Sequence, residues 1–365
     1  MTVFTKYKKQ VFYLSVILII EIIQQFPSYI EKFYSGIIYH HWAIFLRYFT
    51  SFLKFSIGDV LYLIIGVSLF YKCYLVVRDV YLFKNERKNY LKKHSLSVFN
   101  FFCVAFIVFK LFWGLNYYRQ GVAKQFNVAK EGYCKEQLNA LIDELIVEAN
   151  YTRSLISDTS LPKIDILKSY EIAIQSYQVI AKKYNFLAYH QPSIKSSMFS
   201  KLGNYSGFVG YFNPISGEAQ VRNDIPEILI PFIATHEIAH QLGYANESEA
   251  SFIGYLVCKH SNNVYFHYSL QLELLDLALN DLMMTYLQDG EMENLKARYY
   301  QINDCLSEQI KKDRKTIKHF FNRNRKPVAS FSHTIYDKYL KINNQFTGIE
   351  SYNEVLGWIL VEIEK

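Results

Sequence analysis

Long apolar runs occupy three places in the first third of the chain. Val11 to about Ile30 is apolar except for Glu21, Gln24 and Gln25. Ile57 to Val77 is interrupted by Asp59 near its start and Lys72 near its end, and Ser97 to Leu115 by Asn100 and Lys110. Each approaches the ~20 residues that a helix needs to cross a hydrocarbon core. Three transmembrane helices are therefore expected, at about 11–30, 57–77 and 97–115. No small-residue cleavage site follows the first run, so it is not read as a signal peptide. Glu21 and Lys110 fall in the outer halves of their helices and are expected to pair or to reach the interface. The aromatic-rich stretch from Phe33 to Phe55, with His40, His41, Arg47 and Lys54, is expected at the headgroup level.

Beyond residue 118 the pattern changes to helical periodicity. Leu138 to about Leu155, Ile164 to Asn185 and Val264 to about Leu287 all place apolar residues at helical spacing. Between Ser196 and Arg222, Gly, Ser and aromatics alternate, with Asn213-Pro214 and Ser216-Gly217 as turn signals. Short strands are expected there. A polar, basic stretch from Lys311 to Lys326 precedes a final helix near Tyr352 to Glu362. The expected fold is mostly α. A membrane domain (1–118) with three transmembrane helices leads into an α+β domain (119–365) with a small strand region.

Charge orients the membrane part. The chain has 365 residues, a net charge of +7 and 17% aromatics. Its basic residues cluster at the span flanks and near the C-terminus, which suits a lipid bilayer and argues against nucleic acid. Lys6, Lys8 and Lys9 precede the first run, and six Lys and Arg residues between Arg78 and Lys93 separate the second from the third. The positive-inside rule then puts both segments in the cytoplasm, and everything after Tyr117 outside. If Phe33 to Phe55 were a fourth span, the second domain would be cytoplasmic. No Gly-rich phosphate loop, dinucleotide fingerprint or repeat is visible. The outer part holds Cys134, Cys258 and Cys305, an odd number with no C-x-x-C, which prescribes no pairing.

The candidate chemistry lies in His236-Glu237-Ile238-Ala239-His240. On a helix, positions i and i+4 share a face, so both imidazoles can reach one metal ion, with Glu237 beside them as a proton acceptor. Pro231 suits the first turn of such a helix. Gly243 can take the left-handed conformation that ends it. Glu247 to Leu256 then reads as a second helix with Asn246 at its N-cap. The turn swings that helix back and offers Glu247 or Glu249 as a third ligand. The position of Glu247 at the helix start favours it. Two histidines and one carboxylate with an open fourth position are the ligand set of a catalytic zinc. Tyr265, His267 and Tyr336 are candidates for steadying an oxyanion.

The segment from His236 to Ala250 resembles the active-site region of the zincin metallopeptidases that take a glutamate as third ligand. By that resemblance His236 and His240 match the histidine ligands, Glu237 the general base and Glu247 the glutamate ligand. The interval from His240 to Glu247 is shorter than in those zincins and closer to the compact loop of metzincins, but Asn246 stands where a metzincin has its third histidine. The whole chain also resembles an uncharacterised family of bacterial membrane proteins, mainly from Bacteroidetes, that join three N-terminal membrane helices to a zincin-like domain. The landmarks are Phe55–Asp59, Trp113–Arg119, Tyr211–Ala219 and the motif itself.

The expected activity is zinc-dependent amide hydrolysis with Glu237 as general base. The enzyme would sit in the bacterial inner (cytoplasmic) membrane and act on peptide or protein substrates, those of the cell envelope among the candidates. The alternative from another class is a membrane-anchored scaffold that keeps Zn2+ for stability alone. Glu237 discriminates, because a structural site has no use for a carboxylate between its histidines. An intramembrane protease would need the motif inside an apolar span, and the polar Asn246–Glu249 stretch speaks against that.

Overall fold

The computed structural model describes residues 7–82, 87–127, 132–345 and 354–363. It opens with α1 (Lys8–Ile23), a short turn at Pro27–Tyr29, a π-helix over Ile30–Tyr39 and α2 (His40–Thr50). Two long helices follow, α3 (Ile57–Leu82) and α4 (Arg87–Phe112). Both are long and apolar enough to cross a membrane. The central window of α3 is wholly unburied and Phe70 is 80% exposed, so these side chains need an apolar solvent. Asp79 meets His94, and Lys72 lies over the Phe101 ring, so α3 and α4 run antiparallel. Gln10 bonds Asn100 and Lys110 bonds Gln24, so α1 runs parallel to α4. Both helices reach further toward their connection than the apolar runs alone indicate. Residues 83–86 of that connection, and Lys6, lie outside the described residues.

The first run does not continue straight to Ile30. α1 stops at Ile23, and the chain from Pro27 to Thr50 departs from it at 94°. Pro27 has no N–H and disfavours helical backbone at Phe26, whose φ and ψ are −118° and 71°. The segment from Phe33 to Phe55 is also more than a surface strip. Tyr39 and Arg47 are buried, and Arg47 donates to the carbonyls of Gln241 and His190 instead of to headgroups. Lys110 is buried too, and donates to Gln24, Tyr118 and Asn343; Gln24 in turn donates to Glu21. The expected Glu21–Lys110 contact thus passes through Gln24.

The remainder is helical around one small sheet. It comprises α5 (Lys135–Ser154), α6 (Ile166–Ala181), β1 (Ile194–Ser196), β2 (Gly210–Asn213), β3 (Glu218–Val221), α7 (Ile230–Gln241), α8 (Glu247–Lys259), α9 (Val264–Gln288), α10 (Met292–Cys305), α11 (Glu308–Asn324), α12 (Ala329–Ile342) and α13 (Glu354–Ile363). The strand order is β1-β3-β2, parallel for β1 with β3 and antiparallel for β2 with β3. α7 packs on this sheet, and α6, α8 and α9 close around α7 in one apolar core. α10 and α12 lie where no helix is expected from periodicity, and the basic stretch from Lys311 forms most of α11.

α11 is held by an ion pair. Asp313 accepts from Arg153 of α5 at 2.6 Å and from the Tyr268 hydroxyl at 2.8 Å. Both charged side chains are at most 3% exposed. Asp313→Ala strands the Arg153 charge in the core and is expected to cost about 3–5 kcal/mol. Chemical denaturation of the full chain checks this, and a loss below about 1 kcal/mol would contradict the assignment.

The sheet is also stapled to the start of α3. The Glu218 carboxylate accepts from the backbone N–H of Ile57 and Gly58, at the start of α3, and from Lys195. Asp59 accepts from the Met198 N–H at 2.7 Å and from the Tyr211 hydroxyl. A Cβ at Gly58 would lie 2.5 Å from the Asn213 amide, so only glycine allows this approach. Residues on both sides of position 118 therefore belong to one connected structure.

Candidate metal centre

Every residue of α7 is buried. Pro231 stands in its first turn, and the Tyr177 hydroxyl donates to the Thr235 carbonyl at 2.6 Å. Its end is tied from several sides: the Gln241 side chain donates to the carbonyls of Ser193 and Gly217 and accepts from Tyr189. Gly243 then takes φ = +92°, the left-handed geometry that the sequence implies, and α8 begins at Glu247. Asn246 precedes α8 with extended backbone, but its side chain makes no capping hydrogen bond.

That turn brings Glu247 onto the two imidazoles. His236 Nε2 and His240 Nε2 are 3.1 Å apart, and Glu247 Oε2 lies 3.2 Å from the first and 3.5 Å from the second. A triangle with these sides has a circumradius of about 1.9 Å, so one point just off its plane lies about 2.0–2.1 Å from all three atoms, the zinc bond lengths. The rear ring nitrogens are held as well. His240 Nδ1 faces the Tyr244 carbonyl at 2.7 Å and His236 Nδ1 faces Ser251 Oγ at 3.2 Å. With a proton on His240 Nδ1, the Nε2 lone pair points to the centre, the backing usual for metal-binding histidine. Among the described residues this is the one group of three or more His, Cys, Asp or Glu side chains whose ligand atoms converge so closely.

The electrostatics of the cluster call for positive charge. Burial opposes protonation of His240, but the Glu247 carboxylate outweighs it and pushes that imidazole up to about 9. Burial and the neighbouring His240 lower His236 despite its bond to Glu247. Glu247 is held well below the usual carboxylate range, because the two histidines overcome its own burial penalty. A carboxylate and two imidazoles facing one point suit a divalent cation.

Glu237 stands beside this triangle. It is 4% exposed, and its Oε2 has no hydrogen-bond partner. Burial pushes its carboxyl up to about 8 against the pull of His240. A Cβ on Gly210 of β2 would fall 2.5 Å from Glu237 Oε1, so glycine keeps open the space beside the carboxylate. A buried, unpartnered acid that titrates near neutrality is suited to carrying a proton.

Glu249 is turned elsewhere. Its Oε1 accepts from the Val122 N–H at 3.0 Å, against the left-handed Gly121. Tyr265 bonds Asp158 and His267 bonds the Ser261 carbonyl, so neither belongs to the centre. Tyr336 does, because its hydroxyl donates to Glu247 Oε1.

Further residues complete the surroundings. The Trp113 ring lies 6.1 Å from that of His240 and 4.6 Å from Phe212. The Tyr39 hydroxyl donates to the Gln241 carbonyl at 3.2 Å. Arg119 donates to the Gly243 carbonyl at 3.1 Å and forms a two-pronged pair with Glu31 at 2.7 and 2.8 Å. Trp113 and Arg119 stand in a segment already singled out by resemblance. Tyr39 and Glu31 carry no local signal, because the π-helix that aims them is not encoded in a spacing.

Residues 34–360 match the model of the family DUF3810, described as a protein of unknown function. The chain belongs to that family. No curated protein and no solved structure matches it. The family match covers α2 to most of α13 and includes both helices able to cross a membrane and every residue of the His236–His240–Glu247 cluster.

Proposed function

We propose that this member of the family is a membrane-anchored zinc metallopeptidase with a zincin-like domain. The observation that carries the reading is the unpartnered, buried Glu237 carboxylate beside the His236–His240–Glu247 triangle. His236, His240 and Glu247 hold the metal. Zinc bound there supplies a Lewis acid that polarises a carbonyl and acidifies water. Glu237 accepts a proton from the attacking water and passes it to the leaving amine nitrogen. β2 is an edge strand of the sheet, and Gly210 lies against Glu237. An extended peptide added to that edge would run past the acid. A scaffold that needed zinc only for stability has no use for Glu237, which favours the enzyme over that alternative.

The same reading places the centre outside the cytoplasm of a bacterial inner membrane. α3 and α4 form a hairpin whose connecting end carries Arg78, Lys88, Lys92 and Lys93. By the positive-inside rule that end is cytoplasmic, and so is the start of α1, which runs parallel to α4. At the opposite end, the Ile57 N–H donates to Glu218 of the sheet, and Trp113, which follows Phe112, stands against His240 of the metal centre. The argument from charge rests on the α3–α4 hairpin and does not depend on α1.

Metal analysis of the purified full chain is expected to find about one zinc per molecule, lost in His240→Ala. The full chain is required because Trp113, Tyr39 and Arg119 help build the centre. A wild-type chain free of zinc after purification without chelators, and unable to take it up, would end the proposal.

A further inference from the structure

Helix α12 has two faces that ask for different surroundings. Tyr339 and Leu340 turn inward, where Tyr339 meets the Tyr117 hydroxyl at 3.2 Å, and Tyr336, 38% exposed, reaches in with its hydroxyl to donate to Glu247. Outward stand Val328, Phe331, Ile335 and Ile342, at 49, 65, 54 and 74% exposure. At about 100° per residue these four fall within an arc of about 60°, with Lys338 at its margin. A contiguous apolar stripe this exposed is not a usual water-facing surface.

The place of α12 in the fold says what covers it. Its C-terminal half rests on the last turn of α4, with the Tyr339 ring 6.1 Å from Phe109 and the Asn343 side chain accepting from Lys110 at 3.3 Å. Its N-terminal end is joined to the turn Gly203–Ser206, where the Lys326 N–H donates to the Asn204 carbonyl and the Ser332 hydroxyl to that of Tyr205. That turn follows Met198, whose N–H is held by Asp59 in the first turn of α3. Leu202 and Tyr205 extend the exposed apolar surface there. α12 is thus tethered at both ends to the level at which the two long helices leave the hydrocarbon.

We propose that α12 is an interfacial helix, seated with Val328, Phe331, Ile335 and Ile342 in the boundary between lipid headgroups and acyl chains. An amphipathic helix lying in the membrane plane buries such a stripe by a few ångströms, and Lys338 at its margin suits the headgroups. The occupant of the face is lipid, by continuity with the lipid-facing surface of α4. The proposal rests on the membrane-anchored reading above. It means that Tyr336, and through it Glu247, is carried by an element in contact with the bilayer.

The test uses the full chain in phosphatidylcholine–phosphatidylglycerol vesicles, with the exposed Cys73, Cys134 and Cys305 replaced by serine. Single cysteines at Phe331, Ile335, Lys311 or Phe70 carry a fluorophore, and lipids brominated near the headgroup or deep in the chain quench it. Labels at Phe331 and Ile335 are expected to be quenched at least twofold more by the shallow than by the deep bromines, and Lys311 by neither. Phe70 should respond to the deep bromines, which tests insertion itself. Quenching at Phe70 without quenching at Phe331 and Ile335 overturns the interfacial helix and leaves the membrane anchor standing. If Phe70 is silent as well, the membrane reading fails with it. Phe331→Cys chains that cross-link to one another while unquenched would assign the face to a second copy and also overturn the proposal. None of these readouts depends on zinc or on hydrolysis.

Discussion

Glu237→Gln is expected to lower peptide hydrolysis by about 10²–10⁴-fold while zinc content stays at the wild-type level. The amide has nearly the shape of the carboxylate, so the pocket against Gly210 should accept it. It cannot, however, take a proton from water. No hydrogen bond is lost with the charge, because Oε2 accepts none, and burial pushes the acid up to about 8 against the pull of His240. Removing a buried group of this kind should leave stability unchanged or slightly raised, since an unpaired buried carboxylate costs free energy. The measurement pairs turnover of a quenched-fluorescent peptide library with metal content on the same preparations. Turnover equal to wild type would falsify the role given to Glu237. Turnover and zinc lost together would instead make Glu237 a structural residue of the centre.

The sequence was most legible where a single local rule applied. The histidine spacing, Pro231 in the first turn and Gly243 after the last each act within a few residues, and α7, the turn and the start of α8 follow them. The long helices after residue 118 and α3 and α4 are written just as directly in apolar periodicity and run length. What stayed hidden was assembled across distance. Arg47 is a basic residue in an aromatic segment, which from sequence alone suits a headgroup region, yet it is satisfied by carbonyls of residues 190 and 241. The bend at Pro27 comes from a proline inside the apolar run, which run length alone does not reveal. α11 reads as a charged stretch because its core contacts are few, with Ile310, Asp313 and Ile317 buried. α12 keeps four apolar residues on its exposed face, so a search for a core-facing stripe does not find it.

The choice between the two glutamates of α8 gives the sharpest contrast available from substitution. Glu247→Ala is expected to weaken zinc binding by more than about 100-fold, beyond the 10–100-fold that partners behind the ligands usually command. Two imidazoles alone would remain, and the positive charge that the cluster now attracts would lose its carboxylate. Glu249 lies two residues further along a helix of 3.6 residues per turn, roughly 200° around its axis. Its Oε1 receives the Val122 N–H, and a Cβ on Gly121 would lie only 1.8 Å from that oxygen. Glu249→Gln keeps an acceptor oxygen for Val122 and a side chain of the same size, so zinc binding should change by less than about 10-fold. Arg119, which holds the Gly243 carbonyl, keeps its partner Glu31 in both variants. Competition with a chelator of known affinity measures both substitutions on one scale. If Glu249→Gln shed the metal as completely as Glu247→Ala, the short path from His240 to Glu247 would not be the one that closes the centre. If Glu247→Ala kept one zinc per chain, the convergence of the three side chains would have to serve something other than metal binding.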